Sequence, residues 1–437
     1  MAGEWIERPL RELVEIFDGP HATPVKTQAG PIFLGISNLA QGRVNLGEVE
    51  HLSEDDYVRW TRRIEPREGD VVFSYETRLG EAARVPSGLR CCLGRRMGLL
   101  RARTNEIDER FLLYAYLGPQ FQETLRGRTV PGSTVDRIPL IDMPQFPMVV
   151  PTDPNEQRAI AHILGTLDDK IELNRRMNET LEAMGRALFR SWFVDFDPVR
   201  AKAAGRDPGL PKHIADLFPD SFEDSELGEI PKGWRVCSIG DICQRVAMGP
   251  FGSDIKTDNF VESGVPIVRG SNLTDGFVED SFVYVSEEKA EELRNANAFP
   301  GDIVITHRGT LGQVGLIPES SRFPRYVVSQ SQMLVSVSQA VATPGYLYEF
   351  LRSPSGQHSL LANTSQTGVP AIARPTTSLR GIRLVLPSIE LLRIFETVIA
   401  LYYRRRDNGV KESRTLAALR DVMLPKLISG EIRVPGV

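Results

Sequence analysis

Histidines, cysteines and paired carboxylates are the side chains with which a protein most often makes or breaks bonds. In this sequence they are scattered. The six histidines, His21, His51, His162, His213, His307 and His358, share no spacing with one another or with a carboxylate pair. Cys91, Cys92, Cys237 and Cys243 form no CxxC pair and no zinc spacing, so they read as reduced thiols. There is no GxxxxGK[ST] loop for nucleotide phosphates, no GxGxxG after a strand and no HExxH helix. The Asn/Asp-Pro-Pro-aromatic motif used by amino-methyltransferases is also missing. Pro219-Asp220 followed by Glu226 superficially resembles a nuclease carboxylate set, but no ExK strand follows. A chain without nucleophile, base or metal set has nothing with which to lower a barrier. The sequence points to binding.

The chemistry that is present is hydrogen bonding by planar, paired groups. Arginine can bond guanine through two donors, and asparagine or glutamine can bond adenine through donor and acceptor together. Contacts to phosphate position a duplex without specifying its sequence. Candidates for these tasks lie in or beside polar loops: Lys26, Tyr75, Arg78, Arg95, Arg96, Arg128 and Arg137 in the first half of the chain, and Lys256, Arg269, His307, Arg308, Gln330, Gln332 and Arg374 in the second. Arg95 and Arg96 align with Ser331 and Gln332, just before the matched Met97 and Met333. Different side chains at one backbone position are what two domains reading different sequences require. The competing reading of each is a solvated loop residue. Asn38 and Asn272, in a shared SNL motif, are expected to cap turns instead. The Arg404–Arg406 run reads as a solvated helix face, or as a contact to phosphate.

Two long helices must hold these loops in place. From Pro154 to Phe193 apolar residues recur three and four apart at Ile160, Leu164, Leu167 and Ile171, then Leu181, Leu188 and Trp192, the spacing of a narrow coiled-coil seam. Asn174 and Asn178 fall on that seam, where a buried asparagine fixes register and partner at some cost in stability. Asp153 or Asn155 suits the cap, with Pro154 in the first turn. The helix returns from Ile389, with Ile394, Val398, Leu401 and Asn408 matching Ile160, Leu164, Leu167 and Asn174. After a one-residue slip, TLAAL at Thr415 matches TLEAM at Thr180, which places Leu416 and Leu419 on the second seam.

The rest of the chain repeats as well, at an offset of roughly 230 residues, far beyond a solenoid period and so a duplicated domain. Trp5 is answered by Trp234, GPIFLGISNL at Gly30 by GVPIVRGSNL at Gly264, and EGDVVFSYETRLGEAARVP at Glu68 by PGDIVITHRGTLGQVGLIP at Pro300. FLLYAYL at Phe111 is answered by YLYEFL at Tyr346, and FPMVVP at Phe146 by IRLVLP at Ile382. Mixed strands and helices without βαβ regularity predict an α+β class. The expected domains are residues 1–152, a first long helix at 153–197, a linker with little core at 198–232, a second domain at 233–387 and a second long helix at 388–430. Each helix needs an apolar partner for its seam, and the other copy is the obvious one. The expectation is an antiparallel coiled coil with pseudo-two-fold symmetry, a rod of about 55 Å.

At 437 residues, 41% hydrophobic and 25% charged, the chain is long enough for two or three cores. No apolar run is long enough to span a bilayer, and the start carries acids and arginines where a signal peptide needs an apolar core, so a cytoplasmic protein is expected. A net charge of −5 gives no global basic signal, although local patches matter more than the sum.

Taken together, GPFGSDIK at Gly249, GVPIVRGSNL at Gly264, FPGDIVITHRGTLG at Phe299, VVSQSQM at Val327, PTDPNEQRAIAHILGTLDDKIELNRRMNETLEAM at Pro151, ELGEIPKGW and LPKLISGEI resemble the specificity subunit of type I restriction–modification enzymes. The resemblance covers nearly the whole chain. It implies a non-catalytic, sequence-specific reader of double-stranded DNA, with one target-recognition domain per half of a bipartite site. It further implies that the helices set the gap and dock two modification (methyltransferase) subunits, with restriction (translocase and nuclease) subunits added. S-adenosylmethionine, ATP and Mg would then belong to those partners, with no cofactor on this chain. The alternative is a coiled-coil protein-binding scaffold without DNA recognition.

Overall fold

A computed structural model describes residues 4–434 except 21–23, 41, 133–134, 253, 275 and 366–367. His21 therefore lies outside the described residues. The chain divides into two compact units, Met1–Asn174 with Lys411–Val437, and Arg175–Val410. Both boundaries fall inside long helices, Pro154–Phe193 and Ile389–Ile428, each of 40 residues. Each unit thus owns one half of each helix.

In the first unit a six-stranded sheet runs in the order Val14–Asp18, Met97–Ala102, Val71–Ser74, Ala82–Arg84, Gly42–Val44, Leu39–Ala40. Beside it, Lys26–Leu34 pairs antiparallel with Glu50–Leu52 and parallel with Cys91–Leu93. Val71 to Phe73 are wholly buried, which is why that strand reads as a continuous apolar run instead of an alternating one. The segment ERFLLYAYLGPQFQETL forms two helices, Glu109–Leu117 and Pro119–Arg128. Pro119 lacks the N–H that a continuous helix would need, and Gly118 takes an extended backbone before it. Near the start, the short helix Leu10–Leu13 leads directly into the strand from Val14.

The second unit repeats this plan. Cys243–Met248, Gln332–Val337, Ile303–Thr306 and Val314–Leu316 form one sheet. Val265–Val268 pairs parallel with Tyr326–Val328, as Lys26–Leu34 does with Cys91–Leu93. In both units the aspartate of the Gly-Asp turn is buried and tied to an arginine: Asp70 to Arg101 at 2.7 Å and Asp302 to Arg245 at 3.1 Å. The arginines come from different strands, so the buried carboxylate is the shared feature. Residues 198–232 depart from the expected linker. They form the Asp197–Ala203 helix and a hairpin of Phe222–Ser225 with Gly228–Pro231. Val199, Phe218 and Ile230 are buried in the core that also holds Trp192, Phe193 and Trp234. The proline and glycine content signalled turns, while three well-spaced apolar anchors supplied the packing.

Asp153 caps the first long helix, its carboxylate accepting from the Asn155 amide at 2.8 Å. Within each unit the two helix halves meet with their chain directions opposed. In the first, Arg420 bonds Asp168 at 2.9 Å and Asn174 donates to Glu412 at 2.9 Å. In the second, Arg406 bonds Glu182 at 3.2 Å and Phe189 packs on Phe395. Asn174 is fully buried, as its place on the seam predicts.

The second helix corrects the predicted seam. Leu401 is 57% exposed, Leu419 46% exposed and Asn408 exposed, while Ile394, Val398 and Leu416 are only partly buried. The inward positions are Phe395, Ile399 and Tyr403, each one or two residues further along, and Arg406, two residues before Asn408. On the first helix Ile160 and Leu164 are buried, and Leu167, Ile171, Leu181 and Leu188 are partly buried. Hydrophobicity alone put Leu401 on the seam because Tyr403 and Arg406 looked like surface residues. They turn inward because polar partners wait there. Tyr403 donates to Glu349, and Arg406 and Arg352 both bond Glu182. Burial alone would raise the Glu182 carboxyl, but Arg352, Arg406 and Arg186 outweigh it and hold it below its ordinary value.

The same contacts fix the repeat register without a slip. Gly118 and Ser353 close their helices on Tyr114 and Glu349, and Gln122 and Gln357 each bond back to the carbonyls of matched glycines, Gly80 and Gly312. Tyr114 therefore corresponds to Glu349. Tyr114 donates to Asp168 at 2.7 Å, and Glu349 accepts from Tyr403. The two halves keep one phenol–carboxylate bond while exchanging which helix supplies which end.

Candidate nucleic-acid interface

One corner of each unit collects most of the candidate residues, and the backbone builds it identically twice. In the first unit the Tyr75 amide donates to the Arg96 carbonyl at 3.2 Å, and the Ile138 amide to the Tyr75 carbonyl at 2.9 Å. In the second the His307 amide donates to the Ser331 carbonyl at 3.0 Å, and the Ile372 amide to the His307 carbonyl at 2.9 Å. Single bridges join Glu76 to Arg137 and Arg308 to Ala371. Three segments therefore converge: the strand end at residues 75 and 307, the turn at 94–97 and 329–332, and the strap at 137 and 371.

These bonds correct the sequence alignment by one residue. Leu99 pairs with Val72 and Leu334 with Val304, so Leu99 corresponds to Leu334. Arg95 then matches Gln330, Arg96 matches Ser331, and Met97 matches Gln332. Matching Met97 to Met333 was attractive by residue type, yet the strand register excludes it. The correction changes what Gln332 does. It is 1% exposed, at a core position, with its amide bonded by Ser329 and donating to Thr306 at 3.3 Å. Gln332 is a core residue and cannot meet a base edge from there. Arg95 and Gln330, by contrast, are both exposed, and neither forms an ion pair among the described residues. They place different exposed side chains at one backbone position.

Two further candidates are buried. Tyr75 is tucked in, with burial and then Asp18 pushing its phenol above the ordinary value. His307 is 6% exposed, and its Nε2 lies 3.1 Å from the Gln330 carbonyl. Burial lowers its pKa, which favours the neutral ring. Both shape the corner from beneath. At its surface lie Arg308, Arg374, Arg128 and Arg137, all exposed. Arg374 sits at φ +46°, Arg128 stacks over Phe146 at 5.6 Å, and Arg96 pairs with Glu76 at 2.7 Å from a φ of +70°.

The first copy of this plan matches a known family. A family model described as the type I restriction modification DNA specificity domain matches residues 4–183. The chain is 26% identical over 350 residues to the type I restriction enzyme HindI specificity subunit of Haemophilus influenzae, covering 70% of this chain and 72% of that one. It is 24% identical over 331 residues to the MjaIX specificity subunit of Methanocaldococcus jannaschii, covering 74% and 69%. The chain is thus similar to type I restriction–modification specificity subunits, and its first 183 residues match their DNA specificity domain. The fold is shared with the crystal structure of a type I S subunit from M. genitalium, at a TM-score of 0.59 and 16% identity, covering 97% of this chain and 96% of that one.

The remaining candidates lie away from the corner or are occupied. Lys26 starts its strand and pairs with Glu50. Arg78 pairs with Glu81 at 3.0 Å, and Arg269 donates to the Ser281 carbonyl at 2.9 Å. Lys256 is exposed in a separate turn. Asn38 and Asn272 cap turns as expected: each accepts the amide of the residue three before it, Gly35 and Arg269, and donates to two carbonyls beyond. Arg406 is not on a solvated face, unlike the exposed Arg404 and Arg405. Glu76, which holds Arg96, was missed because an acid offers nothing to a phosphate or a guanine. The cluster RWTRR at Arg59 was missed too, although an aromatic ring among arginines is a legible signal. None of the described helices is long and apolar enough to cross a membrane.

Proposed function

We propose that this chain is a specificity subunit that reads a bipartite duplex target, one unit's corner to each half-site, and supplies no active site of its own. The observation that supports the reading most is the corner built twice on the same backbone bonds with Arg95 in one copy and Gln330 in the other. A scaffold that only bound protein would have no need to keep the frame and exchange a guanine-type reader for an adenine-type one. The two long helices act as the spacer. At 1.5 Å per residue each spans about 60 Å, and their exposed faces dock the modification subunits, two per complex, with restriction subunits joining them. S-adenosylmethionine, ATP and Mg act on those partners. The test is selection of bound duplexes from a random library by the chain assembled with its modification subunit. A split motif with two fixed halves and a constant gap is expected. Enrichment of a single continuous motif, or of none, would defeat the proposal.

A further inference from the structure

A cavity of about 410 Å³ opens beside the first unit's corner, lined by Asp18, Gly19, Arg59, Trp60, Arg62 and Arg63 among others. Three arginines on one rim is unusual in a chain with net charge −5. All three are exposed, and none forms an ion pair among the described residues. Arg59 lies over the Trp60 ring at 5.5 Å. The Trp60 indole N–H is buried with no hydrogen-bond partner among the described residues. A buried donor left unsatisfied costs free energy, and donors of this kind are seldom left so unless something else accepts from them.

The cavity is continuous with the corner. Gly19 lies against the turn that carries Arg95, its amide donating to the Met97 carbonyl at 2.9 Å. Asp18 on the wall engages Tyr75 beneath that turn. The other unit has no such cluster at the matching helix. Ser53 and Ser286 cap equivalent helices, and from that register Arg59 and Trp60 fall opposite Glu292 and Leu293.

We infer that Arg59, Arg62, Arg63 and the Trp60 indole N–H form a phosphodiester-binding site that clamps the DNA backbone next to the half-site read by the first unit. The inference rests on the DNA-reading proposal above. The ligand is an anion with several acceptor oxygens, which suits guanidinium forks and an N–H donor together. Asp18 faces the same space and keeps the anion toward the arginine rim. The site carries no sequence information. It makes the hold on the two half-sites electrostatically unequal.

The test uses the chain assembled with its modification subunit and a fluorescein-labelled duplex carrying its selected target, with anisotropy read across a salt series. Arg62→Gln/Arg63→Gln should flatten the dependence of log Kd on log salt by about 1 per arginine. It should weaken target and scrambled duplexes by the same factor. Trp60→Phe keeps the ring but removes the N–H, and should weaken both duplexes about fivefold. An unchanged slope in a variant with wild-type circular dichroism overturns the site, and so does weakening confined to the target duplex. Quenching of Trp60 by inorganic phosphate alone, with DNA binding unmoved in both variants, would make it a free-anion site and also overturn the inference. If the wild-type assembly binds no duplex, the DNA-reading proposal falls and takes this site with it.

Discussion

Two glutamines two residues apart should respond to the same substitution in opposite ways. Gln332 is buried, with its amide oxygen accepting from Ser329 and its nitrogen donating to Thr306, which in turn donates to Gln313 at 3.0 Å. Each lost bond costs about 1 kcal/mol, and partners stranded in the core cost more. Gln332→Ala should therefore cost about 2–3 kcal/mol, or roughly 4–12 °C in Tm for a domain of this size. DNA preference should stay unchanged in the folded fraction. Gln330 is exposed, and its side chain carries no part of the core. Gln330→Ala should move stability by less than about 0.5 kcal/mol. It should relax discrimination at one position of one half-site by about 1–3 kcal/mol, roughly 5- to 150-fold. Differential scanning fluorimetry and binding to single-base target variants separate the two effects. If Gln332→Ala relaxed specificity at full stability, the strand register would be wrong and with it the assignment of the reading corner.

Other consequences follow from the same contacts. Glu182→Ala leaves the partly buried guanidiniums of Arg352 and Arg406 without their shared acceptor and should destabilise the second unit by about 3–5 kcal/mol; chemical denaturation with an unchanged m-value would show it. His307 has a folded pKa below its unfolded one, so it contributes stability above about pH 6.5 that is lost as pH falls through the folded value. His307→Gln should flatten that acid limb of a stability–pH profile, and an equally steep limb would mean another group titrates there. Four residues inserted at matched points of both long helices, after Asn174 and after Val410, add about 6 Å. They should lengthen the spacer of the recognised site by about two base pairs at 3.4 Å per pair; an unchanged spacer would reduce the helices to scaffolding.

Much of this architecture was legible because duplication supplied an internal comparison. The shared SNL motif marked two turns whose asparagines do the same work, and the Gly-Asp turns marked two buried carboxylates. Both long helices were readable from their period. What the sequence hid was register. Met97 resembles Met333, and Ile160 resembles Ile394, so residue type favoured alignments one position off. Only the backbone bonds of Tyr75 and His307, and the phenol–carboxylate bonds of Tyr114 and Tyr403, separate the alternatives. Residue type also misled about orientation. Leu401 looked inward and Arg406 outward, but buried Glu182 reverses that preference. Gln332 looked like a loop reader because polar side chains in core strands are rare, and here two hydroxyl-bearing neighbours satisfy it. The 198–232 segment was read from its turn residues, while its three anchors are too widely spaced to show a period.

As proposed, one exposed corner in each unit reads one half of a split target. Sequencing the adenine methylome of cells expressing the chain with its modification subunit tests it directly, in wild type and in Arg95→Ala and Gln330→Ala. The account predicts one split methylated motif that is absent without the chain. Arg95→Ala should loosen one half of that motif and Gln330→Ala the other. No split motif, or both substitutions loosening the same half, would contradict it.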